Sequence, residues 1–272
     1  MNQRNALSLP AWSFKSLRIR QIVLSFVLCL SSGQFVAADI YSLATDFSNL
    51  SNPNGVWSFT RGTTLLTHFA QPADGNALNP AAGNGFWGVG PSFNSDVPFM
   101  FQTTLVGSAV PPYTDEDFLL GDVFVHASNV GDEVFINWTA PNAGSLTYTG
   151  SVWYGHSFTN RSNDFLLQLN GGAPLNSGTV TVGQGRSNAV MFNSSGSINV
   201  NAGDVLSISL FRSSGQSFGA LSGVDFVVDF TAVPEPGGLV PASAIGLFCL
   251  LRRNRRSVLK NSDESIGESL AS

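Results

Sequence analysis

Lysine is missing from the long central part of this 272-residue chain. Between residues 39 and 233 there are only four arginines against fourteen acidic side chains, which gives this part a net charge near −10. Nucleic acid binding needs clustered Lys and Arg to neutralise phosphates, so the composition excludes it here and disfavours other polyanions as partners. Neutral glycans and divalent cations are compatible with this charge.

Cysteine is missing from the same part, because Cys29 and Cys249 lie near the two ends of the chain. The central part therefore has no disulfide, no thiol nucleophile and no thiolate metal site. We expect its stability to come from side-chain packing and backbone hydrogen bonds alone.

Helical periodicity with capping signals is also missing after Asp39. Short apolar or alternating runs recur instead between turn residues, which is typical of an all-β sandwich or barrel. Turn signals lie at 141–144, 170–172 and 201–204. The predicted strands are 41–47, 56–60, 63–69, 99–106, 123–127, 134–139, 145–154, 164–170, 178–182, 187–192, 197–200, 205–212 and 224–232.

We interpret residues 39–232 as one β domain with two parts of different regularity. Residues 39–121 are rich in Pro, Asn and Gly and predict edge strands and long loops. Residues 122–232 predict the regular sandwich. Trp138 lies in an alternating strand beside Phe135 and Ile136, so we expect it in the core.

The first 38 residues have the layout of a secretory signal peptide. Lys15, Arg18 and Arg20 precede a short apolar run at 22–30, and small residues at 36–38 suit cleavage after Ala38. An N-terminal membrane anchor is the alternative, but the run is short for a membrane span.

The end of the chain combines a rigid motif, an apolar segment and a basic cluster. The motif is Pro234-Glu235-Pro236, the apolar segment is 239–251, and the cluster is Arg252, Arg253, Arg255 and Arg256. Proline fixes φ and cannot extend a β-ladder, so the motif ends the preceding strand. A stable transmembrane helix needs about 20 apolar residues, so we expect a short hydrophobic helix that inserts transiently. An amphipathic helix on a soluble domain is the alternative.

Residues 233–256 resemble the PEP-CTERM sorting tail of exported bacterial proteins. The resemblance implies passage through the export machinery and an inner-membrane intermediate held by the tail, with the arginines on the cytoplasmic side. It further implies that an exosortase-type membrane peptidase reads Pro234-Glu235-Pro236 and removes the hydrophobic segment, which leaves the body at the cell surface or outside the cell. Residues 257–272 are a polar extension beyond this pattern, which we expect to be disordered.

The body resembles the jelly-roll-like bodies that many PEP-CTERM proteins carry. The motifs are Asn52-Pro53-Asn54-Gly55-Val56-Trp57-Ser58, Trp138-Thr139-Ala140-Pro141, Leu169-Asn170-Gly171, Val200-Asn201-Ala202-Gly203-Asp204 and Gly223-Val224-Asp225-Phe226. The resemblance implies an all-β, antiparallel, jelly-roll-like β-sandwich. It leaves the function open, because similar sandwiches serve glycan binding, adhesion and structural roles.

Residues with catalytic chemistry are sparse. His68, His126 and His156 are far apart and none has a neighbour at metal-ligand spacing, so we expect isolated, half-exposed histidines. The glycine-rich segment 83–90 precedes no helix and predicts a loop rather than a phosphate cradle. Nothing in the sequence selects a pair of carboxylates for glycoside hydrolysis. We therefore expect that the protein is not an enzyme.

Two segments contain candidate binding residues. Asp115, Asp117 and Asp122 offer hard oxygen ligands that suit a structural Ca²⁺, and the sequence indicates no other cofactor. A solvated acidic loop is the alternative. Trp87, which we expect to be exposed in its glycine-rich loop, and Tyr113 are candidate platforms for stacking on a sugar ring.

These features together predict an exported, noncatalytic β-sandwich with a structural or adhesive role in the cell envelope or extracellular matrix. A carbohydrate-binding module for a neutral exopolysaccharide is the alternative, and a glycoside-active enzyme is the least favoured hypothesis.

Overall fold

The computed structural model describes residues 38–70, 73, 85–93, 95–103, 118–155 and 159–233. Over these residues the chain is all-β with two antiparallel sheets, so the predicted β-sandwich is confirmed. The elements are β1 (Ala38–Ser42), α1 (Leu43–Asp46), β2 (Trp57–Arg61), β3 (Thr64–Leu65), β4 (Thr67–Phe69), β5 (Phe86–Gly88), β6 (Phe99–Gln102), β7 (Val123–His126), β8 (Val134–Thr139), β9 (Gly144–Tyr154), β10 (Ser162–Leu169), β11 (Pro174–Thr181), a 3₁₀ turn (Arg186–Asn188), β12 (Val190–Asn193), β13 (Ile198–Val200), β14 (Val205–Arg212) and β15 (Leu221–Ala232).

The first sheet has the strand order β12-β9-β15-β7-β6-β5-β4, with β1 also paired to β15 and β13 also paired to β9. The second sheet has the order β11-β10-β14-β8-β2-β3. The edge strands are therefore β12 and β4 in the first sheet and β11 and β3 in the second. One side edge of the sandwich contains β3 and β4, and the opposite one contains β11, β12 and β13.

The strand register defines two poles of the sandwich. At the terminal pole, Ala38 pairs with Thr231 next to the end of β15. At the distal pole, Leu221 at the start of β15 pairs with His126. Because β15 has 12 residues and a strand rises about 3.3 Å per residue, roughly 35 Å separates the two poles.

The main core lies between the two sheets and explains the alternating sequence pattern. In β8, residues of the buried and half-buried classes alternate along the strand. Trp138 is fully buried, as predicted. Its ring lies 5.6 Å from that of Phe230, and Trp57 lies 5.6 Å from Phe226, so aromatic side chains of the two sheets contact each other across the core.

A second aromatic cluster covers the outer face of the first sheet. Phe99, Phe101 and Phe124 belong to this cluster, whereas Met100 between two of them belongs to the main core. Phe93 stacks on Phe99 with 4.1 Å between ring centroids. Since both faces of the sheet are buried here, β6 and β7 are continuous apolar runs rather than alternating ones.

Some of the predicted elements are wrong. The strand predicted at 63–69 is two strands, β3 in the second sheet and β4 in the first, and the one predicted at 187–192 begins with a 3₁₀ turn. The strand predicted at 41–47 ends at Ser42, because the carboxylate of Asp46 accepts hydrogen bonds from the Ser42 amide at 3.0 Å and from the Trp57 indole at 3.2 Å and so holds the turn α1. The segment predicted as a glycine-rich loop contains β5, which pairs with β4 and β6. Glycine at position 88 leaves room for the neighbouring Phe86 ring, because an added Cβ would lie only 3.0 Å from that ring.

The predicted turn at 170–172 is confirmed. Asn170 and Gly171 both have positive φ, 52° and 64°, as a tight turn between antiparallel strands requires. The Asn170 side-chain Nδ2 also donates to the Asp204 carboxylate at 2.9 Å, which links this turn to the β13–β14 connection.

The predicted signal peptide and sorting tail fall almost entirely outside the described residues. This applies to residues 1–37 and 234–272. Within the described part of the chain, no helix has the length and apolar character needed to cross a membrane.

Candidate functional site

A groove of about 710 Å³ lies at the distal pole, where the side edges of the two sheets meet. We call it the hairpin groove; it is bordered by the β2–β3 hairpin, the start of β4, the end of β5 and residues 132–135. Its volume falls within the roughly 300–1,000 Å³ that is typical of small-molecule sites.

The local chain path creates this groove. Gly62 has a φ of +55° and allows the tight turn between β2 and β3. The next residues cross from the second sheet to the first, and Leu66 is buried at the crossing with its amide donating to the Phe59 carbonyl at 3.0 Å. Consecutive short strands therefore border the groove on the two sheets.

The polar side of the hairpin groove is an ion pair. The Arg61 Nε donates to the Asp132 Oδ2 at 2.9 Å, and a second guanidinium nitrogen donates to the same oxygen. Both side chains are about two-fifths exposed, at 42% and 43%. Such an exposed pair contributes little stability, but it fixes a guanidinium and a carboxylate side by side at the groove. Glu133 lies next to them, and its carbonyl accepts a hydrogen bond from Gly62 at 3.2 Å.

The apolar side consists of Leu65, Val89 and Phe135. Leu65 and Val89 are 46% and 40% exposed, whereas Phe135 is half-buried. The threonines Thr64 and Thr67 add exposed hydroxyls. A sugar ring has hydroxyls at its edge and C–H bonds on its faces, so this mixture of planar polar groups and aliphatic surface complements it.

A second, smaller groove of about 240 Å³ lies at the opposite side edge. We call it the Tyr148 groove; it is lined by Tyr148, Leu175, Asn176 and residues 193–198, none of which is charged. The Tyr148 hydroxyl donates to the Asn176 Oδ1 at 2.7 Å. Burial raises the pKa of Tyr148 above its usual value, so the phenol is protonated at neutral pH.

The prediction that Trp87 is an exposed aromatic platform is wrong. Trp87 lies in β5, is only 4% exposed, and belongs to the main core. Its indole donates to the Ser48 carbonyl at 2.8 Å, and its ring contacts His68 edge-on at 5.1 Å. The segment is a strand because it pairs with β4 and β6, and since successive side chains of a strand point to opposite faces, Phe86 joins the outer aromatic cluster while Trp87 faces the main core. Tyr113, the other candidate platform, lies outside the described residues.

Asp122 is the one candidate Ca²⁺ ligand that the structure describes, since Asp115 and Asp117 lie outside the described residues. Its Oδ2 accepts a hydrogen bond from the Leu119 amide at 2.7 Å and forms an ion pair with Arg186. The Arg186 guanidinium also lies over the Trp153 ring, 4.2 Å from its centroid. Arg186 and the Leu119 amide therefore share Oδ2 of the Asp122 carboxylate.

The structure describes His68 and His126, and one of these two histidines departs from the predicted exposure. His68 is half-buried, as expected. His126 is instead only 7% exposed, with its Nδ1 2.8 Å from the Ala127 carbonyl and its ring stacked on Phe99. The close packing of the aromatic cluster buries it. His156 lies outside the described residues. Among the residues that are described, no three His, Cys, Asp or Glu side chains cluster to hold a metal ion.

Sequence reasoning missed both grooves, because their polar residues are distant in sequence. Arg61 and Asp132 are separated by 71 positions, and Tyr148 and Asn176 by 28. One signal was present for the hairpin groove: Arg61 is one of only four arginines in the lysine-free part of the chain.

No protein-family model and no curated protein matches this chain. Among solved structures it is similar to the C-terminal family 6 carbohydrate-binding module of a laminarinase from Zobellia galactanivorans, at 16% identity over 39% of this chain and 79% of that one, with a TM-score of 0.22. It is also similar to a family 35 carbohydrate-binding module from Clostridium thermocellum, at 17% identity over 48% of this chain and 97% of that one, with a TM-score of 0.27. A third similar structure is the K1 cleaved adhesin domain of Lys-gingipain from Porphyromonas gingivalis, at 12% identity over 72% of this chain and 99% of that one, with a TM-score of 0.28. The similarity concerns the β-sandwich architecture alone and does not identify a ligand of this chain.

Proposed function

We propose that this chain is an exported bacterial protein of the envelope or extracellular matrix, whose noncatalytic β-sandwich adheres to uncharged polysaccharide through the hairpin groove. The observation that carries the binding role is the groove itself, in which Arg61, Asp132 and Glu133 lie beside exposed aliphatic side chains.

The position of the groove supports adhesion. Ala38 and Thr231 pair at the terminal pole, whereas the groove lies at the distal pole roughly 35 Å away along the strands. In a chain held at the membrane by its predicted tail, the groove would therefore face away from the point of attachment.

Charge favours an uncharged ligand. The acidic excess of residues 39–233 repels anionic polymers. The groove adds two carboxylates against one guanidinium, so its own balance is also acidic. A neutral polysaccharide avoids this repulsion and still offers hydroxyls to Arg61, Asp132 and Glu133.

The same side chains favour binding over hydrolysis. A glycosidase uses two carboxyl groups about 5–10 Å apart, one on each side of the scissile bond. Asp132 is engaged twice by Arg61, and Glu133 is its direct neighbour in the chain. Of the described residues that line the groove, these are the two that carry carboxylates.

Binding is tested on a printed array of neutral and charged glycans with the full chain. We expect neutral glycans to bind, and Arg61→Ala or Thr64→Trp to weaken binding about tenfold or more through a lost charged hydrogen bond or a filled groove. The matched control is Thr147→Trp, which places the same side chain at an exposed position of β9 outside both grooves. A flat array for the wild-type protein contradicts glycan binding and leaves a purely structural body.

Processing is tested by the intact mass of the protein recovered from its own host. We expect an N-terminus at Asp39 and a C-terminus close to Pro234-Glu235-Pro236. A mature chain that still ends at Ser272 contradicts tail removal.

A further inference from the structure

We propose that the Tyr148 groove is a second, independent site for uncharged saccharide, so that one chain cross-links two polysaccharide strands. This inference rests on the proposed function of the hairpin groove and adds a second site to it.

The strand order places the two grooves on opposite sides of the sandwich. The hairpin groove lies at the side edge of β3 and β4, and the Tyr148 groove lies at the side edge of β11, β12 and β13. Six strands of the second sheet lie across this width; at about 4.8 Å between neighbouring strands they span roughly 24 Å. A saccharide segment bound at one edge therefore leaves the other edge open to a different strand.

The lining of the Tyr148 groove suits a neutral ring. Because the Asn176 Oδ1 accepts the Tyr148 hydroxyl, the Asn176 Nδ2 can donate to a ligand. Ser195 and Ser197 add exposed hydroxyls that make no hydrogen bond with the described residues. Leu175, which is 39% exposed, supplies aliphatic surface for the C–H face of a sugar.

The loop that closes the groove is held in place by hydrogen bonds of its backbone and side chains. The Ser194 amide donates to the Tyr148 carbonyl at 2.9 Å, and the Tyr148 amide donates to the Ser194 Oγ at 3.3 Å. The Asn193 amide group donates to the Ser194 carbonyl at 3.2 Å. A loop that is already ordered loses little conformational entropy when a ligand binds. The 240 Å³ of the groove are below the roughly 300 Å³ of typical small-molecule sites, so it would hold a short part of a polymer.

Two sites on one chain change what the protein does to a polymer. Binding of two segments raises the apparent affinity by about 10²–10⁴ where one polymer reaches both sites. Where it does not, the protein joins separate strands, which is the property required of a matrix component.

The decisive variant is Gly196→Trp. Gly196 lines the groove, and a Cβ added there meets no heavy atom within 4 Å, so we expect a tryptophan at this position to obstruct the groove without a clash at its Cβ. Calorimetric titration of the full chain uses neutral hexasaccharides of β-linked glucose, mannose and galactose. We expect two bound molecules per wild-type chain, one for Gly196→Trp, one for Thr64→Trp, and two for the control Thr147→Trp.

Turbidity with the corresponding long polymers gives the second readout. The wild-type protein is expected to precipitate the polymer at intermediate ratios, whereas each single-site variant binds without precipitating it. One bound molecule per wild-type chain that only Thr64→Trp removes would overturn the second site and leave the proposed function standing. No binding of any hexasaccharide would overturn the proposed function and, with it, the second site.

Discussion

Replacing Asn163 by alanine is expected to lower the free energy of unfolding by about 3 kcal/mol. Asn163 lies in β10 of the second sheet and is only 1% exposed. Its Nδ2 donates to the Ala220 carbonyl at 2.7 Å and to the Ser222 Oγ at 2.9 Å, and its Oδ1 accepts from the Ala220 amide at 2.9 Å. Ser222 lies in β15 and Ala220 directly precedes this strand, so this one side chain joins the two sheets through buried hydrogen bonds.

The magnitude follows from which groups lose their partners. The Ala220 amide is fully buried and would have no acceptor, which costs about 1–3 kcal/mol. The Ala220 carbonyl keeps the hydrogen bond from the Ala127 amide at 3.1 Å, so losing its second bond costs only about 1 kcal/mol. For a body of this size, about 3 kcal/mol lowers the melting temperature by roughly 6–12 °C.

Urea and thermal unfolding measure the effect, with Asn199→Ala as the control. The Asn199 side chain is exposed in β13, so its removal should change stability by less than about 0.5 kcal/mol. If Asn163→Ala lost less than about 1 kcal/mol, the assignment of this side chain as the buried connection between the sheets would be wrong.

Two further predictions concern single side chains. Trp87→Ala should lower stability by about 3–5 kcal/mol, through the cavity and the lost bond to Ser48, and should leave glycan binding of the folded protein unchanged; unfolding curves and the array test this together. Hydrogen bonds to the Asp204 carboxylate, first from the Asn201 backbone N–H and then from the Asn170 side chain, lower the pKa of Asp204. This carboxylate therefore stabilises the fold above its ordinary pKa of about 3.9, and the stabilisation is lost as the pH falls through the lower folded value. In urea unfolding between about pH 2 and 6, the free energy of unfolding of Asp204→Asn should fall less steeply with decreasing pH than that of the wild-type protein. An equally steep fall in both proteins would contradict this role.

Local patterns in the sequence were sufficient for most strands. β8 was predicted with its observed bounds because alternating residues reflect a strand with one buried face. The turn at Asn170 was predictable because a two-residue hairpin turn needs positive φ, which Asn and Gly adopt readily. The strand β5 was missed, since its three residues lie among glycines and their pairing depends on β4 and β6.

The sequence by itself determined the all-β class, most of the turns and the acidic, lysine-free character that disfavours polyanions, because each of these depends on neighbouring residues or on composition. Only the tertiary structure decided that Trp87 is buried and that two grooves lie at opposite side edges. The groove pairs Arg61 with Asp132 and Tyr148 with Asn176 come from strands far apart in the chain. Strand order and register bring such residues together, and the alternation of side chains along one strand does not specify which strand lies beside it.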